Sequence, residues 1–172
     1  MKRTYENLVL IGMSGAGKST LGVLLAKALG LQFTDTDLLI QAQTGKLLQE
    51  TIDTEGVERF MQIEEDVVSR LSLQGSVIAT GGSVVYSERA MEHLKKRALT
   101  VYLYVDFEEL KGRLSNITTR GIVFKGKNDL CSVYRERLPL YERYADLRID
   151  CTACEIETAV ERIVEAVRAA EH

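Results

Sequence analysis

The sequence has no tryptophan, only one proline and only three cysteines among 172 residues. One proline beside 13 glycines argues against a collagen-like, low-complexity or disordered chain. An odd number of cysteines without an export signal does not make a disulfide framework, so we predict reduced thiols. The longest apolar runs, such as Val101–Val105, are far shorter than the roughly 20 residues that span a bilayer. We therefore predict a cytoplasmic protein with no membrane segment.

Neither sign of charge dominates the sequence. It carries 22 basic and 25 acidic side chains, a net charge of −3 with the histidines neutral. A weakly acidic chain lacks the overall electrostatic footprint of a nucleic-acid binder. A length of 172 residues that is 45% hydrophobic suits one compact domain, residues 1–172, and neither a repeat nor a linker divides it. We expect a monomer whose partner is a small molecule.

Short apolar runs alternate with amphipathic stretches, which is typical of an α/β fold built on a parallel sheet. The predicted fold is a five-stranded parallel sheet flanked by helices. The strands are predicted at Tyr5–Ile11, Gln32–Asp35, Ser76–Thr80, Leu99–Val105 and Leu147–Cys151. The helices are predicted at Lys18–Leu29 and at 56–72, 87–97, 107–115, 130–144 and 155–170. The least periodic stretch, about 116–128, has the composition of a mobile basic loop.

Residues 12–19, Gly-Met-Ser-Gly-Ala-Gly-Lys-Ser, match the phosphate-binding pattern G-x-x-x-x-G-K-[ST] between a predicted strand and a predicted helix. In such a loop the glycines let backbone N–H groups surround a phosphate, and the helix N-terminus adds its dipole. Lys18 would bridge the outer phosphates, and the Ser19 hydroxyl would hold Mg²⁺. The alternative is a tight glycine turn without a ligand. The predicted phosphate-binding residues are Gly12, Ser14, Gly15, Ala16, Gly17, Lys18, Ser19 and Thr20.

Two carboxylates, Asp35 and Asp37, stand at the end of the second predicted strand. Residues two apart on a strand face the same way, so the pair is expected to point together beside the phosphate loop. One would lie near Mg²⁺ and the other would accept the proton of an attacking hydroxyl. Alone, such a pair is often a helix cap or a turn. No N-K-x-D sequence supports a GTPase.

These motifs, together with Gly81-Gly82 and the segment 137–146, Arg-Leu-Pro-Leu-Tyr-Glu-Arg-Tyr-Ala-Asp, resemble the shikimate kinase family almost end to end. The resemblance implies a three-layer P-loop kinase fold with a lid at about 116–128. It also implies ATP with Mg²⁺, conversion of shikimate to shikimate 3-phosphate, and a place in aromatic amino acid biosynthesis. The roles it implies are Asp35 at the metal, Asp37 as base, Arg113 near adenine, Arg120 on the lid as a catalytic residue, and Arg137 on the substrate carboxylate.

The acceptor side departs from this family pattern. The family's clamp arginine is Met61 here, its third glycine after Gly81-Gly82 is Ser83, and Gly121 replaces the proline after the lid arginine. A thioether offers no charged fork to a carboxylate. Arg59 is rotated from the clamp position by about 200° along a helix and is a poor replacement. Met61 is either a packing residue or a change of specificity, and Ser83 either contacts substrate or caps the next helix.

We therefore expect an ATP-dependent kinase of a small alcohol, with shikimate as first candidate. Met61, Gly81, Gly82, Ser83, Asp37 and Arg137 are the predicted substrate residues. A kinase for another small hydroxylated metabolite, such as a hydroxy amino acid or a polyol, is the first alternative. A non-catalytic ATP-binding regulatory protein is the second. The C-x-x-C pair Cys151 and Cys154 has no partner pair and is expected to be inert.

Overall fold

The computed structural model describes residues 5–115 and 129–171. Arg120, Gly121 and the predicted lid lie outside the described residues. The helices and strands follow in an order typical of an α/β chain. The strands are β1 Asn7–Ile11, β2 Gln32–Asp35, β3 Ser76–Ala79, β4 Ala98–Tyr104 and β5 Leu147–Asp150. The helices are α1 Lys18–Leu29, α2 Thr36–Thr44, α3 Leu48–Glu55, α4 Val57–Ser69, α5 Glu88–Lys95, α6 Phe107–Ser115, α7 Leu130–Tyr144 and α8 Ile156–Ala170.

The five strands form one parallel sheet in the order β2-β3-β1-β4-β5, which confirms the predicted sheet. Every residue of the central strand β1 is buried, because helices cover both faces. Phe33 and Leu10 meet Gly22 of α1 on one face. Tyr102, which pairs in register with Ile11, stacks on Tyr141 of α7 on the other. Alternate residues of a strand therefore pack against the helices on opposite faces of the sheet.

The switch point of this sheet lies beside β1, because the chain leaves β1 toward β3 and β2 first and returns later to β4 and β5. Ligands of open α/β sheets bind at the carboxyl ends of the strands near such a point. The loop after β1 and the residues after β2 and β3 therefore share one edge of the sheet.

Two helices, α2 and α3, were not predicted. Asp35 is the last residue of β2, as predicted, and is also the N-cap of α2, whose C-cap Gly45 has a left-handed φ of 68°. The side chain of Glu50 accepts a hydrogen bond from the backbone N–H of Leu47 and so stabilises the first turn of α3. Within the described residues, no helix is long and apolar enough to cross a membrane.

Candidate active site

The loop after β1 has the geometry of a phosphate cradle. Gly17 is the N-cap of α1 with a φ of 94°, and no side chain caps the first turn of that helix. A Cβ at Gly12 would lie 2.7 Å from the carbonyl oxygen of Leu103, so the loop passes too close to β4 for any other residue. The first N–H groups of α1 are therefore left for an anion at the helix N-terminus.

Lys18 and Ser19 begin α1 at the mouth of this loop. The Lys18 side chain is buried, and its Nζ donates to the carbonyl oxygens of Gly12 and Met13 at 2.6 and 2.8 Å. The Ser19 hydroxyl donates to Oδ2 of Asp35 at 2.6 Å. A hydroxyl and a carboxylate oxygen side by side, next to a phosphate cradle, are the donor set that Mg²⁺ uses together with nucleotide phosphates and water. These residues therefore fit the metal that the sequence predicts.

Asp35 and Asp37 reach the same cleft by a different route from the one predicted. Asp37 lies in the first turn of α2, not on the strand, and its backbone N–H donates to Oδ1 of Asp35 at 2.9 Å. The explanation by strand alternation was wrong, because an aspartate at a strand end competes for the orphan N–H groups of the next helix. Asp35 thus caps α2 with one oxygen and receives the Ser19 hydroxyl with the other.

A cleft of about 230 Å³ collects most of the predicted site residues. Its floor is the phosphate loop, and its walls come from α2, α3 and the turn after β3. The predicted residues that line it are Ser14, Gly15, Gly17, Lys18, Ser19, Thr20, Asp35, Asp37, Gly81 and Gly82. Leu38, Gln41 and Leu48 line it too, and sequence reasoning missed them because it missed the two helices that carry them.

Beside the cleft, and sharing Ser14, Asp37 and Leu48 with it, lies a recess of about 20 Å³ that is lined by the predicted acceptor residues except Met61. Arg137 lines it with only 1% of its surface exposed. Its Nε donates to the hydroxyl of Tyr86 at 3.3 Å, and its guanidinium lies 5.2 Å from the centre of that ring. Arg137 therefore lies in the interior of α7 as a buried positive charge at the acceptor recess.

Glu64 lines the recess although it was not among the predicted site residues. It is 3% exposed, and its Oε2 accepts a hydrogen bond from the Ser83 hydroxyl at 2.6 Å. Burial raises the pKa of Glu64 to about 7, against the Ser83 hydrogen bond, which lowers the pKa, while the charge of Asp37 raises it further. Ser83 makes no side-chain cap, so the capping alternative is wrong. The signal in the sequence was the one-turn spacing between Glu64 and Met61.

Met61 itself does not line the cleft or the recess within the described part of the chain. It is half-buried and packs against a small apolar cluster formed by Ile40, Phe60, Ile63 and Val67. Arg59 does not replace the missing clamp, because its side chain is 56% exposed and pairs with Glu55 at 3.9 Å. Helix α4 therefore adds no arginine to the recess beside Arg137 of α7.

Arg113 lies on the other side of the phosphate loop. Its Nη1 donates to the carbonyl oxygen of Gly15 at 3.1 Å, and it pairs with Glu109. A pocket of about 280 Å³ there is lined by Ala16, Arg113 and the thiol residues Cys151 and Cys154. Contact of Arg113 with adenine stays a prediction. Burial raises the pKa of Cys151 to about 11, which keeps this thiol protonated. Among residues 5–115 and 129–171, no three histidine, cysteine, aspartate or glutamate side chains lie together in a group that could hold a metal ion.

A phosphate loop with its lysine and serine, a nearby carboxylate pair and a buried arginine at the far end of one cleft define a P-loop small-molecule kinase. The family model for shikimate kinase matches residues 14–168. A shikimate kinase of Thiobacillus denitrificans is 39% identical over 148 residues, 84% of this chain and 81% of the relative. One of Rhizobium meliloti is 36% identical over 171 residues, 96% of this chain and 88% of the relative.

The fold comparison agrees. The structure of shikimate kinase from Acinetobacter baumannii in complex with shikimate has a TM-score of 0.89 and 30% identity over 98% of this chain and 96% of that one. Thymidylate kinase from Candida albicans, at 14% identity and a TM-score of 0.63, shares the fold alone. The chain belongs to the shikimate kinase family. The predicted family and fold class are confirmed.

Proposed function

We propose that this protein transfers the γ-phosphoryl group of ATP to an alcohol hydroxyl of a small carboxylic acid, with shikimate as first candidate and shikimate 3-phosphate as product. One observation carries the proposal: the phosphate loop with Lys18 and the recess with Asp37 and Arg137 open onto the same cleft. Family membership and the relative with bound shikimate support the choice of acceptor.

The chain's residues divide the work of an in-line transfer. Backbone N–H groups of residues 12–19 hold the phosphates, and Lys18, already placed over the loop, stabilises the charge that develops on them. Arg137 binds the carboxylate of the acceptor and thereby orients the acceptor in the recess. Asp37 takes the proton from the hydroxyl as the new oxygen–phosphorus bond forms and the bond between the γ-phosphorus and the β-bridging oxygen breaks.

Ser19 and Asp35 would hold Mg²⁺, which neutralises phosphate charge when it is bound. Asp35 is suited to this because its other oxygen is already fixed by the N–H of Asp37. Because the hydrogen bond joins the two aspartates, it fixes the distance between Asp35, near the metal, and Asp37, at the acceptor. Arg120 and the lid at about 116–128 remain a prediction for the residues that close over the transferred group.

A second candidate is the same chemistry on a different small hydroxylated acid. The composition of the acceptor recess favours it, because Met61 packs in an apolar cluster outside the recess and the Ser83 hydroxyl donates a hydrogen bond to Glu64. A recess with one arginine and a half-bonded glutamate is a different recognition surface from the two-arginine clamp that the resemblance implies. A non-catalytic nucleotide-binding role has no comparable use for Asp37 beside this recess.

The test is formation of ADP from MgATP with and without shikimate, followed by a panel of hydroxylated acids, with the phosphorylated product identified by mass. Asp37→Asn should lower kcat about 10²–10⁴-fold while nucleotide affinity stays within a factor of two. Glu58→Gln, at an exposed position of α4, is the control and should change neither. ATP binding without ADP formation from any acceptor would contradict the kinase and favour the binding protein.

A further inference from the structure

The guanidinium of Arg137 is held along one edge by a tyrosine that was not among the predicted site residues. Tyr86 ends the short 3₁₀ helix Val84–Tyr86, which directly follows Ser83 of the recess. Its hydroxyl accepts a hydrogen bond from Nε of Arg137 at 3.3 Å, and the centre of its ring lies 5.2 Å from the guanidinium carbon. A hydrogen bond and a cation–π contact from one side chain therefore restrain the same guanidinium.

The hydroxyl of Tyr86 is itself fixed by a second residue of α7. It donates to Oε1 of Glu136 at 2.7 Å. Burial raises the pKa of Tyr86 above its ordinary value, so the phenol keeps the proton that it donates. Because the carboxylate takes this one proton, the lone pairs of the hydroxyl are left for the Nε–H of Arg137. The charged acceptor also polarises the hydroxyl and strengthens its oxygen as an acceptor.

This bridge sets which part of Arg137 borders the recess. Its Nε edge is bonded to Tyr86, whereas Nη1 and Oγ of Ser14 would lie 2.9 and 3.1 Å from a Cβ at Gly82. Ser14 and Gly82 line the recess, so the Nη1 end of the guanidinium is the part that faces it. A guanidinium binds a carboxylate through two parallel N–H bonds only when its plane and edge are aligned with the two oxygens. The restraint at Nε supplies that alignment in advance.

The orientation of Arg137 matters because helix α4 gives it no help. Met61 packs in its apolar cluster, and Arg59 pairs with Glu55 at the surface. Among the described residues that line the recess, Arg137 is the one cation that reaches the acceptor side, away from Lys18 of the phosphate loop. A long side chain loses rotamer freedom when it binds a ligand, and one that is already held loses less.

We propose that Tyr86, oriented by Glu136, is a positioning residue that presets Arg137 for the carboxylate of the acceptor and so selects acids over their neutral analogues. The inference rests on the proposed kinase function and deepens it by naming a determinant of its specificity. Tyr86 does not line the recess within the described part of the chain, so it acts through Arg137. Its loss should weaken acceptor binding without slowing the transfer step.

Tyr86→Phe removes the hydroxyl and keeps the ring, and with it the packing and the cation–π contact. We expect the KM for shikimate to rise about tenfold, with kcat and the KM for MgATP within a factor of about two of wild type. The kcat/KM for shikimate methyl ester, which has no carboxylate, should stay unchanged, so the preference for acid over ester falls about tenfold. Tyr134→Phe is the matched control, because its hydroxyl lies on the same helix and donates to the carbonyl oxygen of Val105 at 3.4 Å. It should change none of these quantities.

Two substitutions of Glu136 test the second half of the bridge. Glu136→Gln and Glu136→Leu both remove the charge, but only the amide keeps an oxygen that can accept the phenol proton. The leucine variant should have a shikimate KM about threefold or more above that of the glutamine variant, and the difference should vanish when Tyr86→Phe is present. Equal KM values for the two variants with Tyr86 intact would refute the role of Glu136.

Hydrogen exchange at Arg137 tests the restraint without turnover. In ¹H–¹⁵N NMR spectra the Nε–H signal of Arg137, identified by its absence in Arg137→Lys, should exchange at least about tenfold faster in Tyr86→Phe than in wild type and Tyr134→Phe. Unchanged exchange in Tyr86→Phe, or an unchanged shikimate KM, would refute the positioning role. Equal losses for acid and ester, or a matching loss of MgATP affinity, would show a merely structural role and refute it too. Failure of the kinase function shows separately, as absence of ADP formation by wild type with every acid, while the exchange measurement still decides the restraint.

Discussion

The pH dependence of folding stability in Glu64→Gln tests the central feature of the recess, a buried carboxyl that takes up a proton near neutrality. Burial is the largest cause of its raised pKa, which moves from 4.5 to about 7. The folded protein therefore binds this proton more tightly than the unfolded chain. Wild-type stability should fall as the pH rises from about 4.5 to about 7 and level off above it.

The magnitude follows from the shift. Each unit of pKa is worth about 1.4 kcal/mol, so between pH 5 and pH 8 wild type should lose about 2–3 kcal/mol that the glutamine variant keeps. For a chain of this length that is a difference of about 4–12 °C in Tm. The amide is isosteric and its oxygen still accepts the Ser83 hydroxyl, so packing is preserved. The contribution of all other titrating groups cancels in the comparison.

Urea unfolding followed by circular dichroism at pH 5, 6, 7 and 8 measures the difference, since the chain has no tryptophan for fluorescence. The stability of Glu64→Gln relative to wild type should increase steadily with pH. Glu58→Gln, at an exposed position of the same helix, should keep a constant difference from wild type. A constant difference for Glu64→Gln as well would refute the reasoning, because it would mean that Glu64 ionises in the folded protein as it does in water.

Three further predictions concern Ser83, Gly81 and Cys151. Ser83→Ala removes the hydrogen bond that lowers the pKa of Glu64, so the midpoint of the pH effect should move above about 7, and an unchanged midpoint would contradict the contact. Gly81→Ala should raise the acceptor KM tenfold or more with nucleotide affinity intact, whereas Gly112→Ala, whose Cβ meets nothing within 4 Å, should not. Cys151 is 3% exposed and its pKa is about 11, so it should resist Ellman's reagent at pH 8 until the protein unfolds. Measuring the thiolate that the reagent releases from folded and from unfolded protein checks this.

The phosphate-binding half of the site was predictable from sequence because its residues are contiguous. Glycines at fixed positions, a strand before them and a helix after them are local features, and the structure has Lys18 at the first position of α1. The family resemblance extended this prediction to Arg137, which lies about 120 positions after the loop in the chain. In space, Arg137 lines the acceptor recess. No local pattern joins the two.

The acidic pair shows where local reasoning fails. Alternation along a strand and capping of a helix both place Asp35 and Asp37 near the cleft, and only the backbone decides between them. Assigning Asp37 to the strand hid α2, and with it Leu38 of the cleft wall, while Leu48 was missed with α3. The missed signal was Gly45 as a C-cap, which together with the capping alternative for Asp35 bounds α2.

The sequence by itself determined the class of protein, the parallel sheet and the phosphate cradle, because hydrophobic period, glycine placement and the lysine of the loop are properties of neighbouring residues. Only the tertiary structure decided the state of Glu64. Its burial, its hydrogen bond to Ser83 and the close approach of its Oε1 to Gly81 depend on the packing of α4 against the turn after β3. Whether a carboxyl is solvated or desolvated depends on what covers it, and that is a property of packing and not of the order of residues in the chain.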